Sequence, residues 1–381
     1  MFHDVDAEVL SRRPGTKWGE AGPGVLPAWI AEMDFPPAPV VRDALLRCVS
    51  EDLGYPSWDA HPGRNPLRAA LAERMEQRYG LVLDPGEVRE FTDINQALQA
   101  VLMVTTQPGD TIAAHTPTYP PFLRTLETMD RRLLAAPYVP HEDGWAFSAD
   151  RLAEDVAVTG CRVLLLVSPH NPTGHVLRRA ELEALAEIVL RHDMLVVSDE
   201  IHSELVHEPH QHIPFASLGP ELAARTVTLT SATKAFNVPG VRCAVGHIGP
   251  RGVREALSSP SHLYGEPNNF GVAATLAAWR EGDSWLSELR PVLAANALAL
   301  KEQLPAGVGY RVPEASYLAW LDCRDLDLPS DPRTFFHEKA RVLLNDGRAF
   351  GPEGEGFVRL NFGTSPALLA EITRRMSEAV G

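Results

Sequence analysis

The chain has 381 residues, longer than one compact core usually spans, which points to two lobes around a cleft. Hydrophobic residues make up 45% and charged residues 22%, a balance that argues against intrinsic disorder. A net charge of −15 repels nucleic acid, and no basic stripe offsets it, although a small cationic pocket can still sit inside an acidic protein.

The amino terminus, Met1 to Trp18, has no apolar run of the kind a signal peptide carries. Strongly apolar stretches such as Val163 to Val167 are strand-length and far short of a membrane span. Cys48, Cys161, Cys243 and Cys323 lie far apart and form no metal-binding spacing. Reduced thiols, a cytoplasmic setting and no metal are the expectation. Residues 1–38 read as an irregular arm, followed by an amphipathic helix near Pro39 to Cys48. A second helix starts at Pro66 and puts Leu67, Leu71 and Met75 on one face.

From residue 88 to 250 apolar runs alternate with helices. The strand candidates are Val88–Thr92, Thr111–Ala114, Arg162–Ser168, Met194–Ser198, Thr226–Thr230 and Cys243–Ile248. Arg178–Arg191 has the spacing of an intervening helix. That alternation predicts an α/β fold with a mostly parallel sheet covered on both faces, and ligands beyond the carboxyl ends of its strands. After residue 282 the pattern changes to long helices, Asp283–Leu304 and Pro366–Val380, with short strands at Tyr317–Asp322 and Phe357–Asn361. The expected division is an arm (1–38) packing with a smaller α+β lobe (282–381), and a large lobe (39–281).

Three clusters follow apolar runs directly. Lys234 closes Ser231-Ala232-Thr233-Lys234 and is flanked by Ala235, Phe236 and Val238, a poor setting for a merely solvated charge. A lysine so placed can lose its proton and act as nucleophile or base. Arg242, eight residues on, is a permanent cation suited to a phosphate, and Ser231 and Thr233 add hydroxyl donors. Asp199-Glu200 follows Met194–Ser198; an isolated pair of acids usually caps a helix, but Asp199 could also pair with a protonated heterocyclic nitrogen. Asn171-Pro172-Thr173-Gly174 follows Arg162–Ser168 and is either a plain turn or a loop whose Asn171 amide donates to a ring oxygen. Arg359 sits between apolar neighbours on a strand, which is unusual for an arginine without a partner and suits a substrate carboxylate.

The ordered set Asn171-Pro172-Thr173-Gly174, Asp199, Lys234, Arg242 resembles the fold-type I pyridoxal 5′-phosphate enzymes of the aminotransferase class I/II superfamily. Within it, Trp29 to Phe35, Ser198 to His202, Lys234 to Gly240 and Gly354 to Phe362 are similar to the MalY/PatB group of cystathionine β-lyases, and the likeness runs from about Trp18 to Pro366. The resemblance implies pyridoxal 5′-phosphate held as an imine on Lys234, which also moves the Cα proton. Asp199 would then face the ring nitrogen, Asn171 the ring oxygen and Tyr119 the ring face. Ser231, Thr233, Arg242 and the helix start at Ile94 and Asn95 would hold the phosphate, and His202 would lie near the cofactor. Arg359 would hold the substrate carboxylate. The resemblance also implies a homodimer with the site at its interface, where Tyr55 reaches the partner's phosphate.

One departure stands out. The phosphate helix starts with Thr92-Asp93-Ile94-Asn95 where the group has a glycine-containing turn, so Asp93 is expected to point away from the dianion. Nothing in residue spacing chooses among the fates of the cofactor chemistry. The resemblance favours β-elimination from cystathionine or another cysteine S-conjugate, giving a thiol, pyruvate and ammonia. Transamination to a 2-oxo acid is the alternative, and a non-catalytic regulator of the same fold is a further one.

Overall fold

The computed structural model describes residues 2, 5–51, 53–58, 61, 63–142, 144–258 and 265–381; residues 1, 3 and 4 of the expected arm lie outside the described residues. A seven-stranded sheet is built from β1 (Val88–Phe91), β2 (Thr111–Thr116), β3 (Arg132–Pro137), β4 (Val163–Val167), β5 (Leu195–Asp199), β6 (Thr226–Thr230) and β7 (Ala244–Ile248). Its order is β1-β7-β6-β5-β4-β2-β3. Only β7 runs against its neighbours; the other strands are mutually parallel.

Strand β4 shows why the sheet is covered twice. All five of its residues are buried. Val163, Leu165 and Val167 pack with Ile94, Leu98 and Val101 of the helix Ile94–Thr105, while Leu164 and Leu166 pack with Leu152, Leu182 and Leu185 on the opposite face. A period of two with both phases apolar is the mark of a strand buried on both sides.

A second, antiparallel sheet contains β8 (Gly309–Tyr310), β9 (Leu318–Asp322), β10 (Asn345–Asp346) and β11 (Phe357–Asn361), in the order β8-β9-β11-β10. The helices Asp283–Gln303 and Pro366–Val380 contribute Leu289, Leu293, Leu369 and Ile372 to the core shared with it. Leu26–Pro27 pairs in parallel with Val342–Leu343, and further along, the Asp34 N–H donates to the Gly363 carbonyl at 2.8 Å.

Strand β3 was not anticipated from the sequence. It lies at the sheet edge with most of its residues only half-buried, and its short apolar run, Leu133-Leu134-Ala135-Ala136, holds no β-branched or aromatic residue to mark it as a strand. Among the described residues no helix is long and apolar enough to cross a membrane. The four cysteines are free.

Candidate active site

Strands β4, β5 and β6 are parallel neighbours, so their carboxyl ends share one edge of the sheet. Asn171 lies in the loop after β4, Asp199 is the last residue of β5, and Lys234 sits on the short helix after β6. Positions 63 residues apart or less along the chain are thereby brought to one cavity of about 460 Å³. Ile94, Asn95, Tyr119, Asn171, Asp199, His202, Ser231, Thr233, Lys234 and Arg242 all line it.

The Lys234 ammonium donates to the Ala31 carbonyl at 2.7 Å and, among the described residues, forms no ion pair with a carboxylate. Burial and then the Arg359 charge lower its pKa to about 8, against smaller opposing effects of Glu32 and Asp199. Asp199 is buried, and burial raises its carboxyl to about 7 despite a 3.1 Å hydrogen bond from the Ile201 N–H. The adjacent acid has a different task. Glu200 accepts from Ser198, His212 and the Phe215 N–H, and so ties the loop together. Neither acid caps the turn Ser203–Leu205 that follows, and Asp199 lines the cavity.

Arg359 does not itself line the cavity but stands directly behind Asn171. Its guanidinium donates to the Asn171 side-chain oxygen at 3.0 Å, to the Asn345 side-chain oxygen at 2.7 Å and to the Trp29 carbonyl at 3.2 Å. Asn345 is its register partner on the neighbouring strand. The Phe350 ring lies 4.9 Å beneath the guanidinium carbon. None of these groups is anionic, and burial drags the Arg359 pKa down to about 10. Because the Asn171 oxygen accepts from Arg359, its amide nitrogen is the end left to donate.

His202 is buried, with no hydrogen-bond partner at Nδ1. Burial, with Lys234 and Arg359 nearby, lowers its pKa to about 3, so the ring is neutral. The Tyr119 ring meets Phe122 edge-on at 5.2 Å, and burial raises its hydroxyl pKa. Ser231 donates to the Cys243 carbonyl at 2.5 Å, and its hydroxyl lies 2.8 Å from that of Thr233. Tyr55 is 95% exposed and takes no part in this cavity within one chain.

The expectation for Asp93 is overturned. It caps the helix Ile94–Thr105 by accepting from the Gln96 N–H at 2.9 Å, and its other oxygen is ion-paired with Arg242. Asp93 therefore lines the cavity instead of pointing away from it, because the helix cap fixes its side chain on the same side as Arg242. Sequence reading also missed Gln96, Gln99 and Cys243 in the wall. The first two follow Asn95 on the same helix end, and that helix start was the one available signal.

Comparison with known proteins points to one family. The family model described as "Aminotransferase class I and II" matches residues 30–376. Cystathionine beta-lyase PatB of Bacillus subtilis is 33% identical over 393 residues, covering 100% of both chains. Protein MalY of Escherichia coli is 31% identical over 354 residues, covering 89% of this chain and 87% of its own. The crystal structure of cystalysin from Treponema denticola, which contains pyridoxal 5′-phosphate, superposes with a TM-score of 0.92 at 25% identity, covering 100% of this chain and 99% of that one.

Proposed function

The chain belongs to the aminotransferase class I and II family, and on that premise we propose that it is a pyridoxal 5′-phosphate-dependent carbon–sulfur β-lyase acting on cysteine S-conjugates. The observation that carries the cofactor is a pair of mismatched groups in one cavity. A lysine with its pKa lowered to about 8 shares the cavity with a buried carboxyl raised to about 7 to which, among the described residues, no cationic side chain is bonded. An aldehyde-bearing ring with a basic nitrogen would satisfy both.

Pyridoxal 5′-phosphate, when bound, supplies an electron sink for the pair released from a bond at the amino-acid Cα. The remaining work falls to the protein's own side chains. Lys234 would hold the aldehyde carbon through Nζ and, when free of it, would move the Cα proton at the same atom. Asp199 would hold a proton on the ring nitrogen, the Asn171 amide would donate to the ring oxygen, and Tyr119 would cover the ring face. Arg359, whose present partners are all neutral acceptors, would pair with the substrate carboxylate. A thiolate then departs from Cβ more readily than an alkoxide because a thiol has a pKa of about 8.5.

The lyase reading rests on the relatives' names, cystathionine beta-lyase among them. A second reading, transamination, is favoured by one observation: N-succinyldiaminopimelate aminotransferase DapC of Mycobacterium tuberculosis is 33% identical over 280 residues. Incubation with cystathionine, cystine and S-alkyl cysteines separates the two. Equal release of thiol and pyruvate supports the lyase; stoichiometric 2-oxo acid exchange without thiol overturns it. We further propose a cytoplasmic homodimer in which the exposed Tyr55 reaches the partner's phosphate site, a large cofactor-binding lobe at 39–281 and a smaller lobe at 282–381 packed with the arm.

A further inference from the structure

The cup at the start of the helix Ile94–Thr105 carries an acid where an anion is expected to bind. Asp93 is three-quarters buried and holds the Arg242 guanidinium with one carboxylate oxygen while capping the helix with the other. Among the described residues no other arginine lines this cavity, and its remaining charged side chains are Asp199 and Lys234. The hydroxyls of Ser231 and Thr233 are meanwhile turned to each other and to the Cys243 carbonyl. The cation that should greet a phosphate is thus already neutralised, and the hydroxyl donors are engaged.

We propose that Asp93 is an internal competitor for Arg242 that weakens the hold on the cofactor's phosphate, so that this chain keeps its cofactor in ready exchange with solution. The inference rests on the proposed pyridoxal 5′-phosphate site. A phosphate dianion entering the cup must either take Arg242 from Asp93 or share it beside a like charge, and both lower its affinity. The helix start still offers the Ile94 and Asn95 N–H groups, so binding is weakened and not abolished.

Asparagine caps a helix as well as aspartate does, so Asp93→Asn removes the charge while keeping the bond to the Gln96 N–H. Cofactor-free wild type and Asp93→Asn are titrated with pyridoxal 5′-phosphate and, separately, with pyridoxal, and the visible absorption of the lysine adduct is followed. Asp93→Asn is expected to bind pyridoxal 5′-phosphate about tenfold tighter and pyridoxal unchanged. Equal or weaker binding of pyridoxal 5′-phosphate by the variant overturns the inference, because Asp93 then orients Arg242 for the phosphate. An equal gain for both compounds also overturns it, since the effect then has nothing to do with phosphate. Asp93→Ser, another good cap, gives the same readout if the asparagine variant fails to fold. Failure of wild type to take up either compound at all would instead refute the cofactor site itself.

Discussion

Lys234 owes its chemistry to the company it keeps. Burial and the Arg359 charge hold its pKa at about 8, well under that of a solvated lysine. Only the neutral amine attacks an aldehyde, so capture of pyridoxal 5′-phosphate by the cofactor-free protein should speed up with pH to about 8 and then level off. A rate that keeps climbing through about pH 10 contradicts the assignment. Asp199 makes a prediction of opposite sign. Its folded pKa of about 7 lies above the ordinary 3.8, so between those values the folded chain binds a proton that the unfolded chain does not. Stability therefore falls as pH rises across that window. Cofactor-free Asp199→Asn should be more stable than wild type at pH 8, by about 2 °C or more in Tm, with the gap closing towards pH 4. A Tm difference that does not change with pH would count against the buried charge. Both residues were legible in the sequence because each follows an apolar run. The Asp93–Arg242 pair was not, since 149 residues separate its members and only the fold reveals that they meet.

At the level of elements, the site depends on loops whose shape glycine permits. Gly174 closes the Asn171 loop at φ +71°, and a Cβ there would run into the Pro313 side chain and crowd the Ala315 carbonyl. Its carbonyl also accepts from the Glu314 N–H at 3.1 Å, which ties the loop to the chain ahead of β9. Gly174→Ala should cost about 1–3 kcal/mol of stability in urea denaturation, from backbone strain and steric conflict together. An unchanged midpoint would show that the loop relaxes freely. The Thr-Gly dipeptide signalled a turn in the sequence, but the partner it packs against is 139 residues away and carries no local signal. The buried central strands were read to within two residues of their ends because they are short runs rich in apolar and β-branched residues, β4 being apolar on both faces. Edge strand β3 escaped because its apolar residues, two leucines and two alanines, carry little strand propensity.

For the whole molecule, residues 29–35 act as a strap between the sheets. The Ala31 carbonyl accepts from both Lys234 and the Tyr317 hydroxyl, and the Trp29 carbonyl accepts from Arg359. Lys17 fixes the strap's far end through a buried 2.8 Å ion pair with Asp34. The sequence suggested this stretch only through resemblance; its ties to Lys234, Tyr317 and Arg359 are through backbone carbonyls, which any residue supplies.

The chain has four lysines, Lys17, Lys234, Lys301 and Lys339. Lys17 is sealed in its ion pair, and Lys301 and Lys339 are exposed on the surface. Borohydride reduction of the pyridoxal 5′-phosphate-loaded protein, followed by peptide mass spectrometry, therefore has very few places to find a label. The account predicts one stoichiometric pyridoxyl-phosphate adduct at Lys234, and none in Lys234→Ala. A stoichiometric adduct on Lys301 or Lys339, or a wild-type protein that takes up no label, would contradict it.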